Sequence, residues 1–369
     1  MQKFAATHIQ YVADRYFCGH HNPKMLRIFF PFFWSALFLL VACGCPNSGV
    51  PNPIPSVYYW KSDFHLSMAE KQFLHDHRIG KLYLHLFDVV REGTTLHPSS
   101  TVRFTDSLPA DIQVIPVVFL NFDILNDTTG TAELPQLLAR RVRRMMELNG
   151  GCLPQELQVD FDWTARNETL YFQLLAQLRD ALQKEGIPRL SATIRLHQLA
   201  RPIPPVDYGA LMVYNVGNYA NPRERCSILT PQLVRPYLPY LSSYRLPLCS
   251  ALPVYQWNLL YHRDHFECIL RGVNLLDTTK FERIDDIHYL SLSYQVIPIG
   301  TISMQGDGRI LPGDVVRHER VSAAMLDSVR LMLNEVSPAC CQQVILYHLD
   351  EQQLSSYTYE ELESIYMGR

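Results

Sequence analysis

The stretch Gln158-Val159-Asp160-Phe161-Asp162-Trp163-Thr164 concentrates the reactive side chains of this 369-residue chain. Side chains alternate along a strand, so Gln158, Asp160 and Asp162 share one face and Leu157, Val159, Phe161 and Trp163 share the other. Carboxylates that point into a core are costly unless they are paired or solvated, and paired acids at a strand end are candidates for acid–base work. Ser191, Thr193 and Arg195 alternate in the same way, which lets Arg195 face Asp160 or Asp162. One reading is an internal ion pair that fixes the fold. In the other, Asp162 next to Arg195 is a charged stabiliser or base, not a proton donor.

The elements that must position these groups alternate along the chain. Strands are predicted at 57–60, 81–89, 112–120, 157–163, 190–196, 209–215, 249–257 and 344–350. Leu66 to Arg78 reads as a helix opened by a Ser67/Glu70 capping box, and Thr358/Glu361 opens another at 358–367. Apolar stripes predict further helices through Leu134–Met146, Tyr171–Leu182 and 322–335. Eight strands with intervening helices predict an α/β fold, a (β/α)8 TIM-type barrel over 56–369, with an insertion at 262–320 between strands 7 and 8. A doubly wound open sheet fits less well, because no Gly-rich phosphate loop follows the first strand. Barrel active sites lie at the C-terminal strand ends, which is where Asp160 and Asp162 fall.

On these residues the chain resembles glycoside hydrolase family 18, the chitinases and endo-N-acetylglucosaminidases, whose strand 4 reads DxxDxDxE and strand 6 MxYD. The resemblance spans about 56–352. It implies a barrel that acts on or binds a carbohydrate, with Asp160 and Asp162 as the later two aspartates and Met212 and Tyr214 lining the sugar site. Trp257 would be either a stacking platform or a core residue. The departures fall on the chemistry: Thr164 stands at the proton-donating glutamate, Leu157 at the first aspartate, and Asn215 at the strand 6 aspartate. Glu168, or an acid from another strand end (Asp88, Asp350 or Glu351), would have to replace the donor. Three readings stay open: a glycoside hydrolase, a catalytically silent glycan binder, and a structural lipoprotein. The segments VYYW, PVVFLN, LSATIRL and LPVYQWNLLY also resemble a group of bacterial envelope lipoproteins without an assigned activity.

An envelope address is predicted at the front. Ile28 to Ala42 carries no charge, follows Arg27, and runs into Cys43. That order matches a lipoprotein signal at 25–42 with Cys43 as the lipidated mature N-terminus; a buried core helix, or a coincidental cysteine after an ordinary signal, is the alternative. Met25 is the expected start, which leaves 1–24 as a spurious extension. Residues 43–55 read as a Pro-rich tether. The protein is therefore expected to be anchored by lipid in the bacterial cell envelope, with the periplasm-facing side of the outer membrane favoured. A net charge of −3 without a basic run argues against nucleic acid. Nine cysteines without CxxC spacing give no metal or redox motif, so no cofactor is expected; beyond the leader, disulfides and free thiols are both open.

Overall fold

The computed structural model describes residues 53–297, 302–303 and 309–368. The predicted signal, Cys43 and nearly all of the tether lie outside the described residues. Eight parallel strands close into a barrel: β1 (Ile54–Tyr59), β2 (Lys81–Glu92), β3 (Gln113–Leu120), β4 (Glu156–Asp160), β5 (Arg189–Arg195), β6 (Tyr208–Met212), β7 (Leu248–Pro253) and β8 (Gln343–Tyr347). They pair in chain order, and β1 closes the ring by pairing with both β2 and β8. The expected α/β barrel is the observed fold.

Strand alternation sorts the side chains. Val57, Leu82, Val118, Leu157, Val159, Leu211 and Leu346 point outward into the main core, whereas Tyr58, Tyr83, Val117, Met212, Ala251 and Ile345 fill the interior. The outer layer holds α1 (Met68–Asp76), α2 (Leu134–Leu148), α3 (Glu168–Lys184), α4 (Ala323–Val336) and α5 (Tyr359–Met367). Both predicted capping boxes form, at α1 and at α5. α3 buries Tyr171, Leu174, Leu175, Leu178 and Leu182, the predicted stripe. Two crossovers carry no α-helix. After β2 the chain turns back as the antiparallel strand Thr95–Ser99, and β5 leads to β6 through a 3₁₀ turn, Leu196–Ala200.

The predicted strand 249–257 divides in two. β7 stops at Pro253, and Gln256–His262 begins a separate sheet with His265–Leu270, Phe281–Arg283, His288–Ser291 and Val315–Arg320. The insertion sheet thus starts at Gln256, earlier than residue 262. A buried ion pair anchors it: fully buried Arg317 and Glu319 lie 2.7 Å apart. Arg317 Nη1 also donates to the Asn221 carbonyl, and Glu319 accepts from Ser227 N and Trp257 Nε1. Among the described cysteines, Cys152, Cys226, Cys249, Cys340 and Cys341 are free thiols. Among the described residues no helix is long and apolar enough to cross a membrane, and no group of His, Cys, Asp and Glu is arranged to hold a metal ion.

Candidate functional site

The barrel interior is closed at its floor. Glu156, fully buried at the start of β4, accepts from Ser191 Oγ at 2.6 Å and from the Tyr208 hydroxyl. Tyr208 meets the Tyr83 hydroxyl at 3.1 Å, Gln343 Nε2 donates to Tyr83 at 2.7 Å, and Lys81 donates to Gln343 at 2.9 Å. One layer up, the Tyr58 hydroxyl donates to Gln158 Oε1 at 2.6 Å. Burial raises the pKa of Tyr58 and Tyr83 well above the usual phenol range, so both remain neutral donors.

The mouth begins at Asp160. Its Oδ1 accepts from Thr193 Oγ1 at 2.6 Å and from Arg195 Nη1 at 2.7 Å, with 6% of the Asp160 side chain and 22% of the Arg195 side chain exposed. Of the two expected partners, Arg195 takes Asp160. Burial works against the Arg195 charge, but Asp160 and then Asp162 outweigh it and hold the guanidinium firmly protonated. Asp162 lies past the end of β4, because the chain turns at Thr164, whose N–H donates to Asn167 Oδ1 at 2.8 Å to open α3. Its carboxylate is 57% exposed, 3.4 Å from His197 Nε2, and accepts from Gln198 Nε2 at 3.3 Å.

The remaining sequence candidates separate. Met212 faces the interior and pairs in register with Arg195. Tyr214 stacks on Tyr347 at 5.1 Å, and its enclosed hydroxyl has no protein partner among the described residues. Burial, and after it Tyr58, Tyr347 and Asp160, raise its pKa well above the usual range. Asn215 adopts φ +53° and accepts from the Tyr255 hydroxyl. Glu168, the first residue of α3, is bound by Arg201 at 2.9 Å. Of the other strand-end acids, Asp350 caps the short helix Glu351–Leu354. Trp257 belongs to the insertion sheet, not to strand 7; Glu319 fixes its indole N–H, and its ring meets Tyr255 edge-on at 5.7 Å.

What the sequence reading did not assemble is the aromatic arc. Trp60, one residue past β1, lies 5.8 Å from Tyr347; Tyr347 lies 5.9 Å from Tyr255, which continues to Trp257. The mouth therefore has an aromatic side from β1, β8 and the insertion, and a charged side from β4 and β5. Rings beside hydrogen-bonding groups suit a ligand with apolar faces and polar edges.

Solved structures share this barrel. The chitinase of Chromobacterium violaceum superposes with a TM-score of 0.52 at 11% identity, covering 86% of this chain and 98% of that one. The spore cortex-lytic enzyme SleL of Bacillus cereus gives 0.50 at 14% identity over 86% and 75% of the two chains. A class V chitinase mutant from the plant Cycas revoluta, solved with (GlcNAc)3, gives 0.50 at 11% identity over 85% and 99%. At these identities the likeness is one of fold: the chain shares the α/β barrel of these structures. No protein-family model and no curated protein sequence matches it.

Proposed function

We propose that this protein is a lipid-anchored envelope protein whose barrel mouth holds an N-acetylglucosamine-containing oligosaccharide without cleaving it by the family 18 route. The observation that carries the reading is the commitment of Asp160 to Arg195 and Thr193 beside the aromatic arc, with Thr164 where a proton donor would stand. Substrate-assisted cleavage needs a carboxylic acid that releases its proton to the leaving oxygen. A threonine hydroxyl does not supply one. Rings and neutral phenols remain, and these bind a sugar by stacking and hydrogen bonding. The choice of ligand draws on the chitinase and cortex-lytic barrels that share the fold. The envelope address rests on Ile28–Ala42 and Cys43.

A hydrolase is the second reading, and one observation favours it: exposed Asp162 stands 3.4 Å from His197, an acid–imidazole pair at the strand ends. Titrating (GlcNAc)3 while following tryptophan fluorescence tests the first reading, which expects saturable binding that Trp60→Ala weakens. Absence of binding by the wild type would overturn it. Accumulation of shorter sugars that depends on His197 would establish the second.

A further inference from the structure

We propose that His85 is a direct ligand contact, with Asp88 orienting its ring so that Nδ1 accepts a hydroxyl of a sugar ring seated beside Trp60; this rests on reading the mouth as a saccharide site.

Simple alternation would put residues 85 and 88 on opposite faces of β2. A bulge at Leu86 changes the phase: His85 pairs with Val117, Phe87 with Val118, and Asp88 with Phe119. Both side chains therefore point inward, and His85 Nε2 lies 2.8 Å from Asp88 Oδ1. An ionised carboxylate only accepts, so Nε2 carries a proton, and in the neutral imidazole Nδ1 is then the acceptor. Nδ1 makes no hydrogen bond among the described residues and is not among the enclosed, unpartnered polar atoms. Trp60 lies against the imidazole at 4.6 Å and 32°, giving the ring a fixed orientation and the ligand a flat neighbour.

The position suits a second pole of the same site. Phe119 pairs with both Asp88 and Asp160, so the two aspartates stand level with one another. Two strand spacings separate them, about 10 Å between backbones. A ligand held at Asp160–Arg195 would thus extend along the mouth toward His85. An imidazole acceptor selects a hydroxyl or amide N–H donor, both of which an N-acetylated sugar offers.

The test is calorimetric titration of the purified full chain with (GlcNAc)3. His85→Phe keeps a ring against Trp60 and removes the acceptor; the expected result is about tenfold weaker binding, the scale of one well-formed hydrogen bond. Nitrogen-15 spectra of the wild type should show the His85 Nδ1 signal moving on saturation, and Asp88→Asn should mix the two ring tautomers before ligand is added. His85→Phe binding with wild-type affinity, or an Nδ1 signal unmoved at saturation, overturns this inference and leaves the broader reading standing. Failure of the wild type to bind (GlcNAc)3 overturns both.

Discussion

Strand β4 places a carboxylate at each end of the barrel axis, and the two environments differ. Glu156 on the floor is fully buried and, among the described residues, meets no cation; its hydrogen-bond partners are the hydroxyls of Ser191 and Tyr208. Asp160 at the mouth has a guanidinium, and Asp162 beyond it has water. An inward carboxylate in a barrel is therefore not in itself a mark of chemistry. The floor acid belongs to a ring of hydrogen bonds that closes the interior. The mouth acids lie beside aromatic rings at the C-terminal strand ends, the end at which barrel sites are built.

The contrast can be broken most severely at the ion pair. Asp160→Asn leaves Arg195 largely buried without its charge partner, and urea denaturation should show a loss of about 3 kcal/mol, the lower end for breaking a buried pair. Glu156→Gln keeps an oxygen that accepts from Ser191 and Tyr208, so its cost should stay within about 1 kcal/mol. An equal loss from both substitutions would remove the distinction between floor and mouth. Asp162→Asn, at a solvated position, should change stability by no more than about 0.5 kcal/mol.

Acid should loosen the mouth further. Burial lowers the pKa of His348, just past β8, to about 4. The unfolded chain takes up this proton near the ordinary histidine value of about 6.5, before the folded protein does. The stability contributed by neutral His348 is therefore complete above about 6.5 and is lost as pH falls toward about 4. Denaturation midpoints at pH 7 and pH 4.5 should differ less in His348→Asn than in the wild type. At the front of the chain, Cys43→Ala should abolish incorporation of radiolabelled palmitate while leaving the fold of the barrel unchanged.

Much of the barrel was legible because its signals are local. Two capping boxes, an alternating β4 and an apolar stripe on α3 each follow from neighbouring residues, and each is observed. That Arg195 faces an aspartate of the neighbouring strand was legible from the same alternation, but the choice of Asp160 over Asp162 was not. The His85–Asp88 pair was not, because a bulge changes the phase without leaving a mark such as glycine in KLYLHLFDV. Trp257 was misplaced because apolar residues continue through Val254 and Tyr255 into the next strand; Pro253, which lacks the N–H to extend a ladder, marks the break. The aromatic arc joins residues from both ends of the chain, and only closure of β1 on β8 brings Trp60 to Tyr347.

The central claim is that the mouth holds a sugar and leaves it whole. Its most direct test is prolonged incubation of the purified protein with (GlcNAc)3, measuring bound ligand by calorimetry and the recovered sugar by mass spectrometry. The account predicts saturable binding and recovery of the intact trisaccharide. Release of the mono- or disaccharide by the wild type, or no binding at all, would contradict it.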